Sequence, residues 1–511
     1  MTDTQIYKAS SISIAMLHYG YLLRALFAGI LLPFGFSPFH LPGLSVLGIA
    51  LLFAQLQERP LKESVVIGFV FGLGFFGFGI SWIYVSIHDY GHLNPLLSFL
   101  ATSLFVSYLS LYPALVAMCY QPLASKKGLL SNCFLFGALW CLGEYLRSNV
   151  LSGCPWLQLG FGQIDSPLKY MLPIVGVYGT SFLTCLSATL LVKSTQTVAL
   201  QRCLYLFAFV GILLAPLLLQ DTTWVTLNNK PISVGVVQAN LSMRDKWDES
   251  LFWKLLGQYK TAIKQLIGKK NVIVLPESAI PLPATYISHY INQIDAHAKL
   301  EHTSVLLGIP QSTPHDNGYY FNTLTALGMA DGHYLKQHLV PFGEYIPNPF
   351  LSLTRWLDIP LATLKPGPAH QALVQVDNHL IATLICYEVA YPDLLRHQLP
   401  DAEWIVSISD DGWFGRSLAV YQQLQMSQVL SLLTGRYQIV SNNDGLSSII
   451  DTQGNITSTL PAFTAGILDG VIYPATEATP WTSQGDAPIL LSCILLILFS
   501  LPRRIKQNLR N

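Results

Sequence analysis

Three short segments set reactive side chains just beyond apolar runs. Leu380–Ile385 leads into Cys386-Tyr387-Glu388, Val274-Leu275-Pro276 leads into Glu277, and Tyr334-Leu335 leads into Lys336, with Glu344 in the loop that follows. A nucleophile at the carboxyl end of a buried strand is a common arrangement in α/β domains. Taken singly, each residue is ordinary: a lone cysteine in a β-run is most often core, and a lysine after a turn is most often surface. Taken together they supply what thiol acyl chemistry needs. A carboxylate takes the thiol proton, an ammonium stabilises thiolate and oxyanion, and sulfur carries the acyl group as a thioester. Cys386 is also the sole cysteine between residues 225 and 485, so that stretch cannot form a disulfide within itself.

The elements that must hold these side chains read as alternating strands and helices. Strands are expected at Ile232–Gln238, Val272–Leu275, Val305–Ile309, Phe321–Met329, Ile381–Ile385, Trp404–Ile408, Tyr437–Ser441 and Ser447–Ile450. Asp331-Gly332 reads as a two-residue hairpin turn that leaves Lys336 just past a tight β-hairpin. Helices between strands predict an α/β fold with helices over the sheets. Residues 348–366 read as a loop rich in large apolar side chains, among them Phe350, Trp356 and Leu357. That loop either packs on its own domain or dips into a bilayer interface.

Composition adds a membrane. Of 511 residues, 51% are hydrophobic and 11% charged, against about 25% charged in ordinary soluble domains. Mean hydropathy is +0.42. Eight apolar segments (21–37, 41–57, 64–86, 95–121, 128–148, 169–192, 203–220 and 486–502) are near the roughly 20 residues a span needs. With the N-terminus inside, the inner loops carry Lys8, Arg59, Lys62, Lys126, Lys127, Lys193, Arg202, Arg503, Arg504, Lys506 and Arg510, and the outer loops only Arg147 and Lys169. That asymmetry puts 225–485 outside, which in a Gram-negative bacterium is the periplasm, with both termini cytoplasmic. The first segment is expected to remain as a span rather than be cleaved as a leader. Glu144 and Arg147, three apart on one segment, are expected to pair along a helix face. Gly153-Cys154-Pro155-Trp156 reads as a turn followed by an interfacial aromatic anchor. With zero net charge and no basic run in the outward part, nucleic acid is excluded as a partner.

The order Glu277, Lys336, Cys386 in these contexts resembles the carbon–nitrogen hydrolase (nitrilase) superfamily. The further segments Gly72–His88, His338–Pro347, Gly412-Trp413-Phe414-Gly415, Gln238-Ala239-Asn240 and Lys246-Trp247 are similar to its membrane-embedded branch, the apolipoprotein N-acyltransferase family. The resemblance covers almost the whole chain. It implies a polytopic α-helical membrane domain of about eight spans (1–224 and 486–511) and a nitrilase-like α-β-β-α sandwich (225–485). By the same resemblance, Glu277 is the general base, Lys336 the oxyanion cation and Cys386 the acylated nucleophile. Glu344, Glu388 and Tyr387 are supporting residues, and Trp247, Trp413, Phe342 and Tyr345 contact substrate. The implied reaction moves a fatty acyl chain from a membrane phospholipid to the free α-amino group of a diacylglyceryl-cysteine apolipoprotein, without metal or organic cofactor. Two segments depart from the family pattern. Asp410-Asp411 stands where the family has Asn-Asp, and Met426–Tyr437 has Leu430 and Leu433 where it has charges. A membrane-anchored amidase and a non-catalytic lipoprotein binder are the alternative readings.

Overall fold

The computed structural model describes residues 20–124, 128–246, 248–313, 318–347 and 364–501. Trp247 and the loop residues 348–363, including Phe350, Trp356 and Leu357, lie outside the described residues. Two compact units divide the chain, one formed by residues 1–222 and 486–511, the other by 223–485.

The first unit is helical. Each of the eight apolar segments contains a helix, and among the described residues four helices have the length and hydropathy to cross a membrane: Leu61–Gly79, Pro95–Leu123, Pro167–Thr195 and Ala199–Leu219. Gly20–Gly35, Pro42–Leu56 and Ala487–Ser500 are apolar but shorter. A helix of 15 residues such as Pro42–Leu56 rises about 22 Å, less than the roughly 30 Å hydrocarbon core. Glycines let the helices approach closely. A Cβ on Gly72 would lie 2.6 Å from Ser110 Cα, and one on Gly74 would lie 2.2 Å from the Leu26 carbonyl oxygen. Small residues at such crossings are how helices pack in lipid.

Glu144 and Arg147, on the helix Leu129–Asn149, do not form the expected pair. Arg147 Nη1 donates to the carbonyls of Cys154 (2.5 Å) and Trp156 (2.6 Å), while Glu144 Oε1 accepts from Trp140 Nε1 (3.0 Å) and Leu159 N (2.9 Å). Both side chains satisfy the irregular backbone at 154–159, whose buried polar groups need partners. Trp156 is accordingly buried at 2% exposure, not an interfacial anchor.

The second unit is a sandwich of two sheets. The six-stranded sheet runs in the order Gly466–Ile472, Ile232–Gln238, Val272–Val274, Ser304–Gly308, Thr323–Gly328, His333–Leu335. The seven-stranded sheet runs Ile456–Thr459, Ser448–Ile450, Gln438–Asn442, Trp404–Ser409, His379–Ile385, Val374–Val376, Ala330–Asp331. Each sheet has three adjacent parallel strands at its centre. Alternation sets the layers. Val234, Val236, Val272 and Val274 of one sheet share a core with Ile381, Ile385, Val406 and Ile408 of the other. The opposite face of the six-stranded sheet (Val237, Ile273, Val305, Leu307) packs on helices Phe252–Leu266 and Ser288–Leu300 through Leu255, Tyr259, Ile263, Ile294 and Ala298. Helix Leu418–Thr434 covers the other sheet, with Leu424 against Val440 and Ile450. The result is four layers, α-β-β-α.

The turn before Lys336 differs from the two-residue hairpin expected. Thr323–Gly328 does pair antiparallel with His333–Leu335, with Thr325 opposite His333. Between them, Ala330–Asp331 leaves that sheet and pairs with Gln375 and Val376 of the other. Gly332, at φ 95°, turns the chain back. The connection is a stitch between the two sheets, and it holds Lys336 at their shared edge.

Candidate active site

Strand His379–Ile385 ends at Cys386, which opens a short 3₁₀ turn (Cys386–Ala390) with φ at +54°. A left-handed conformation is uncommon for a residue with a Cβ and is held here by the packing around it. The Cys386 side chain is at the inter-sheet core and only 7% exposed. Burial pushes its pKa well above the ordinary thiol value, and the nearby Glu277 and Asp411 carboxylates push the same way. Lys336 and a hydrogen bond with Ser409 oppose them without prevailing. The balance favours the thiol over the thiolate, an arrangement in which a neighbouring base can assist attack.

Glu277 follows strand Val272–Val274 and is positioned from three directions. Its Oε1 accepts from Asn322 Nδ2 at 2.6 Å and lies 3.5 Å from Lys336 Nζ; its Oε2 accepts from Asp410 N at 3.0 Å. Burial, with Glu344 and Asp410 adding to it, raises the carboxyl pKa above the ordinary range despite Lys336 and Asn322. A carboxylate so raised is a better acceptor for a thiol proton. Lys336 Nζ sits 2.8 Å from Glu344 Oε1, and Glu344 Oε2 accepts from Val340 N at 2.8 Å. Burial works against the Lys336 charge, yet Glu344 and Glu277 outweigh it and hold the ammonium above its usual pKa. Asn322 Nδ2 also reaches Glu344 Oε1, at 3.3 Å, so one amide bridges both carboxylates. The sequence reading missed Asn322. Its signal is a lone amide between the strand pieces Tyr320–Phe321 and Thr323–Gly328.

Glu388 is fully buried and faces backbone. Its Oε1 accepts from Gln337 N (2.7 Å) and His338 N (3.0 Å), its Oε2 from Ile385 N (2.8 Å), and Tyr334 Oη donates to both oxygens at 3.1–3.2 Å. Burial still raises its pKa to about 7. One carboxyl thus ties the loop after Lys336 to the strand before Cys386. Glu388→Gln keeps the shape but replaces an acceptor oxygen by a donor facing N–H groups. We expect it to lower stability by about 1–3 kcal/mol and to slow acylation, and unfolding monitored alongside acyl-enzyme formation checks both.

Tyr387 follows Cys386 in the chain, with its hydroxyl 3.2 Å from that of Tyr391, whose ring packs at a tilt of 32° against His338, 3.7 Å between centroids. Phe342 (φ 63°, 56% exposed) and Tyr345 belong to the turn carrying Glu344, where Phe342 N donates to Tyr345 O at 2.7 Å. Trp413 is half-exposed on the 3₁₀ turn Asp411–Phe414.

The departing helix keeps structural residues. Leu430 and Leu433 are fully buried, and Gly435 caps the helix at φ 67° where a Cβ would meet Val225 Cγ1 at 2.7 Å. Arg436 donates to the carbonyls of Ala402 (2.8 Å), Pro400 (3.2 Å) and Glu477 (2.6 Å), so its role is to tie backbone together.

Residues 28–190 match the apolipoprotein N-acyltransferase N-terminal domain, and residues 233–479 match carbon-nitrogen hydrolase. The apolipoprotein N-acyltransferase of Coxiella burnetii is 36% identical over 481 residues, 93% of this chain and 99% of the relative. That of Azotobacter vinelandii is 35% identical over 491 residues, covering 94% and 95%. Among solved structures, a carbon-nitrogen hydrolase from Helicobacter pylori aligns at TM-score 0.35 and 15% identity, over 55% of this chain and 94% of that one. Matched along both units and nearly end to end, the chain belongs to the apolipoprotein N-acyltransferase family.

Proposed function

We propose that the chain transfers a fatty acyl group from a membrane phospholipid, through a thioester on Cys386, to the α-amino group of the diacylglyceryl-cysteine that begins an apolipoprotein. What supports this reading most is the buried Glu277–Lys336–Glu344 cluster acting on the Cys386 thiol in a chain of this family. In the first half-reaction Glu277 takes the thiol proton as sulfur bonds to the ester carbonyl carbon. The oxyanion forms against Lys336. The ester C–O bond then breaks, and Glu277 returns the proton to the departing lysophospholipid oxygen. In the second, the neutral amine attacks the thioester, Glu277 takes a proton from nitrogen, the C–S bond breaks and Cys386 regains its proton. Glu344 keeps Lys336 in place. Tyr387, Phe342, Tyr345, Trp413 and Trp247 shape the approach for acyl chains and acceptor.

Both substrates carry long acyl chains, which suits a chain whose other unit is apolar helix. We place it in a bacterial inner membrane with its apolar helices in the bilayer, the catalytic unit in the periplasm and both termini in the cytoplasm, on the strength of the Lys/Arg asymmetry between loops. Intact-mass measurement after mixing the purified protein with phospholipid tests the reaction. A mass gain of one acyl group, stable in water and discharged by a diacylglyceryl lipopeptide with a free α-amine, is the expected result. Equally fast discharge by water alone would make the protein a hydrolase.

A further inference from the structure

Behind Glu277 lies a second buried ion pair. Lys246 Nζ binds Asp410 Oδ2, and both side chains are almost wholly enclosed. The pair grips Glu277 at both ends: Lys246 Nζ donates to the Glu277 carbonyl oxygen at 3.1 Å, and Asp410 N donates to Glu277 Oε2 at 3.0 Å. It joins the segment after strand Ile232–Gln238 to the ends of Val272–Val274 and Trp404–Ser409, and so ties the two sheets together.

The chemistry of position 410 is narrow. Its carboxylate is met by donors alone: Lys246 Nζ on Oδ2, and Asn443 Nδ2 (3.1 Å) and Gly412 N (3.3 Å) on Oδ1. An amide there would turn its NH₂ toward one of them whichever way it flipped. A carboxylate accepts from all three, and it balances the Lys246 charge. This is the position where the sequence pattern of the family leads one to expect asparagine. We infer that Lys246 and Asp410 are positioning residues for Glu277, and that the balance of their charges sets how readily that carboxylate takes the Cys386 proton.

Glu277 is faced by Lys336, Glu344 and Asn322 on one side, by Asp410 and Asp411 on another, and by Cys386. Lys246 is faced in addition by Asp444. Without the Asp410 charge, Lys246 would stand uncompensated beside Glu277 and favour its ionised form. Glu277 would then ionise at lower pH and be a weaker base. This inference rests on Glu277 being the base.

The test is the pH dependence of acyl-enzyme formation in the full-length protein with phospholipid, followed by quench and intact mass from about pH 4 to about pH 9. Asp410→Asn should move the acid limb down by about one pH unit and lower the plateau rate roughly threefold or more. The double variant Lys246→Met/Asp410→Asn removes both charges and should bring the limb back toward the native position. A purely structural pair would leave the limb in place and make the double variant no better than the single one; either result overturns the inference. If Asp410→Asn does not fold, Lys246→Met carries the test. It leaves the Asp410 charge unbalanced, so the limb should rise, and an unmoved or lowered limb overturns the inference. Glu277→Gln run in parallel separates the two levels. Native-rate acylation in that variant defeats the reading of Glu277 as base, whereas a dead Glu277→Gln beside an unmoved limb in the pair variants defeats only the inference.

Discussion

Cys386→Ser folds, inserts into membranes and binds phospholipid, yet yields no acyl-enzyme. The expected loss in turnover is on the order of 10⁴-fold or more, the scale on which removal of a covalent nucleophile is felt. The single-atom change barely alters a side chain that is 7% exposed at the inter-sheet core, so stability should stay near native. What changes is ionisation. A hydroxyl gives up its proton far less readily than a thiol, and in this site burial and the Glu277 carboxylate already make the thiol itself reluctant. Intact mass after incubation with phospholipid, together with a melting curve, checks both halves. Native turnover in the serine variant would remove Cys386 as the nucleophile.

Glu277→Gln and Lys336→Met should each slow acylation by about 10²–10⁴-fold, the range for a positioned general base or an oxyanion donor. In Glu277→Gln, Lys336 keeps its 2.8 Å partner Glu344, so the protein should express and fold. With Glu277 as the base, acylation should rise with pH through a limb lying above the ordinary carboxylate range, the direction in which burial moves this group. In Glu277→Gln that limb should vanish along with the rate. Lys336→Met leaves Glu277 and Glu344 sharing the Asn322 amide without a cation, and one of them should take up a proton. A rate within tenfold of native in either variant would break the assignment of roles.

The central strands and the three reactive side chains were legible because buried parallel strands write themselves as apolar runs, and chemistry sits where the runs stop. Strand Gly466–Ile472 was not legible. Its sequence GILDGVI carries two glycines and an aspartate, and its extended form comes from seven-residue pairing with Ile232–Gln238. Ala330–Asp331 looked like part of a local turn because nothing local reveals that Gln375 and Val376 will pair with it. The site divides in the same way. Residues at strand ends stand out in the local sequence, whereas Asn322 and Asp410 meet Glu277 across 45 and 133 positions of sequence, which nothing local reveals. Glu388 was expected as a supporting residue; the structure shows it accepting from four donors, three of them backbone N–H groups.

The burial of the Cys386 sulfur also bears on how the protein would age in an oxidising compartment. Peroxides and foreign disulfides react with thiolates, and they need access. A lone cysteine in an oxidising compartment would ordinarily drift to sulfenic acid or a mixed disulfide. On the proposed mechanism the reactive form would exist only while substrate is bound and Glu277 holds the proton, so the burial that makes Cys386 depend on a base would also hide it from oxidants.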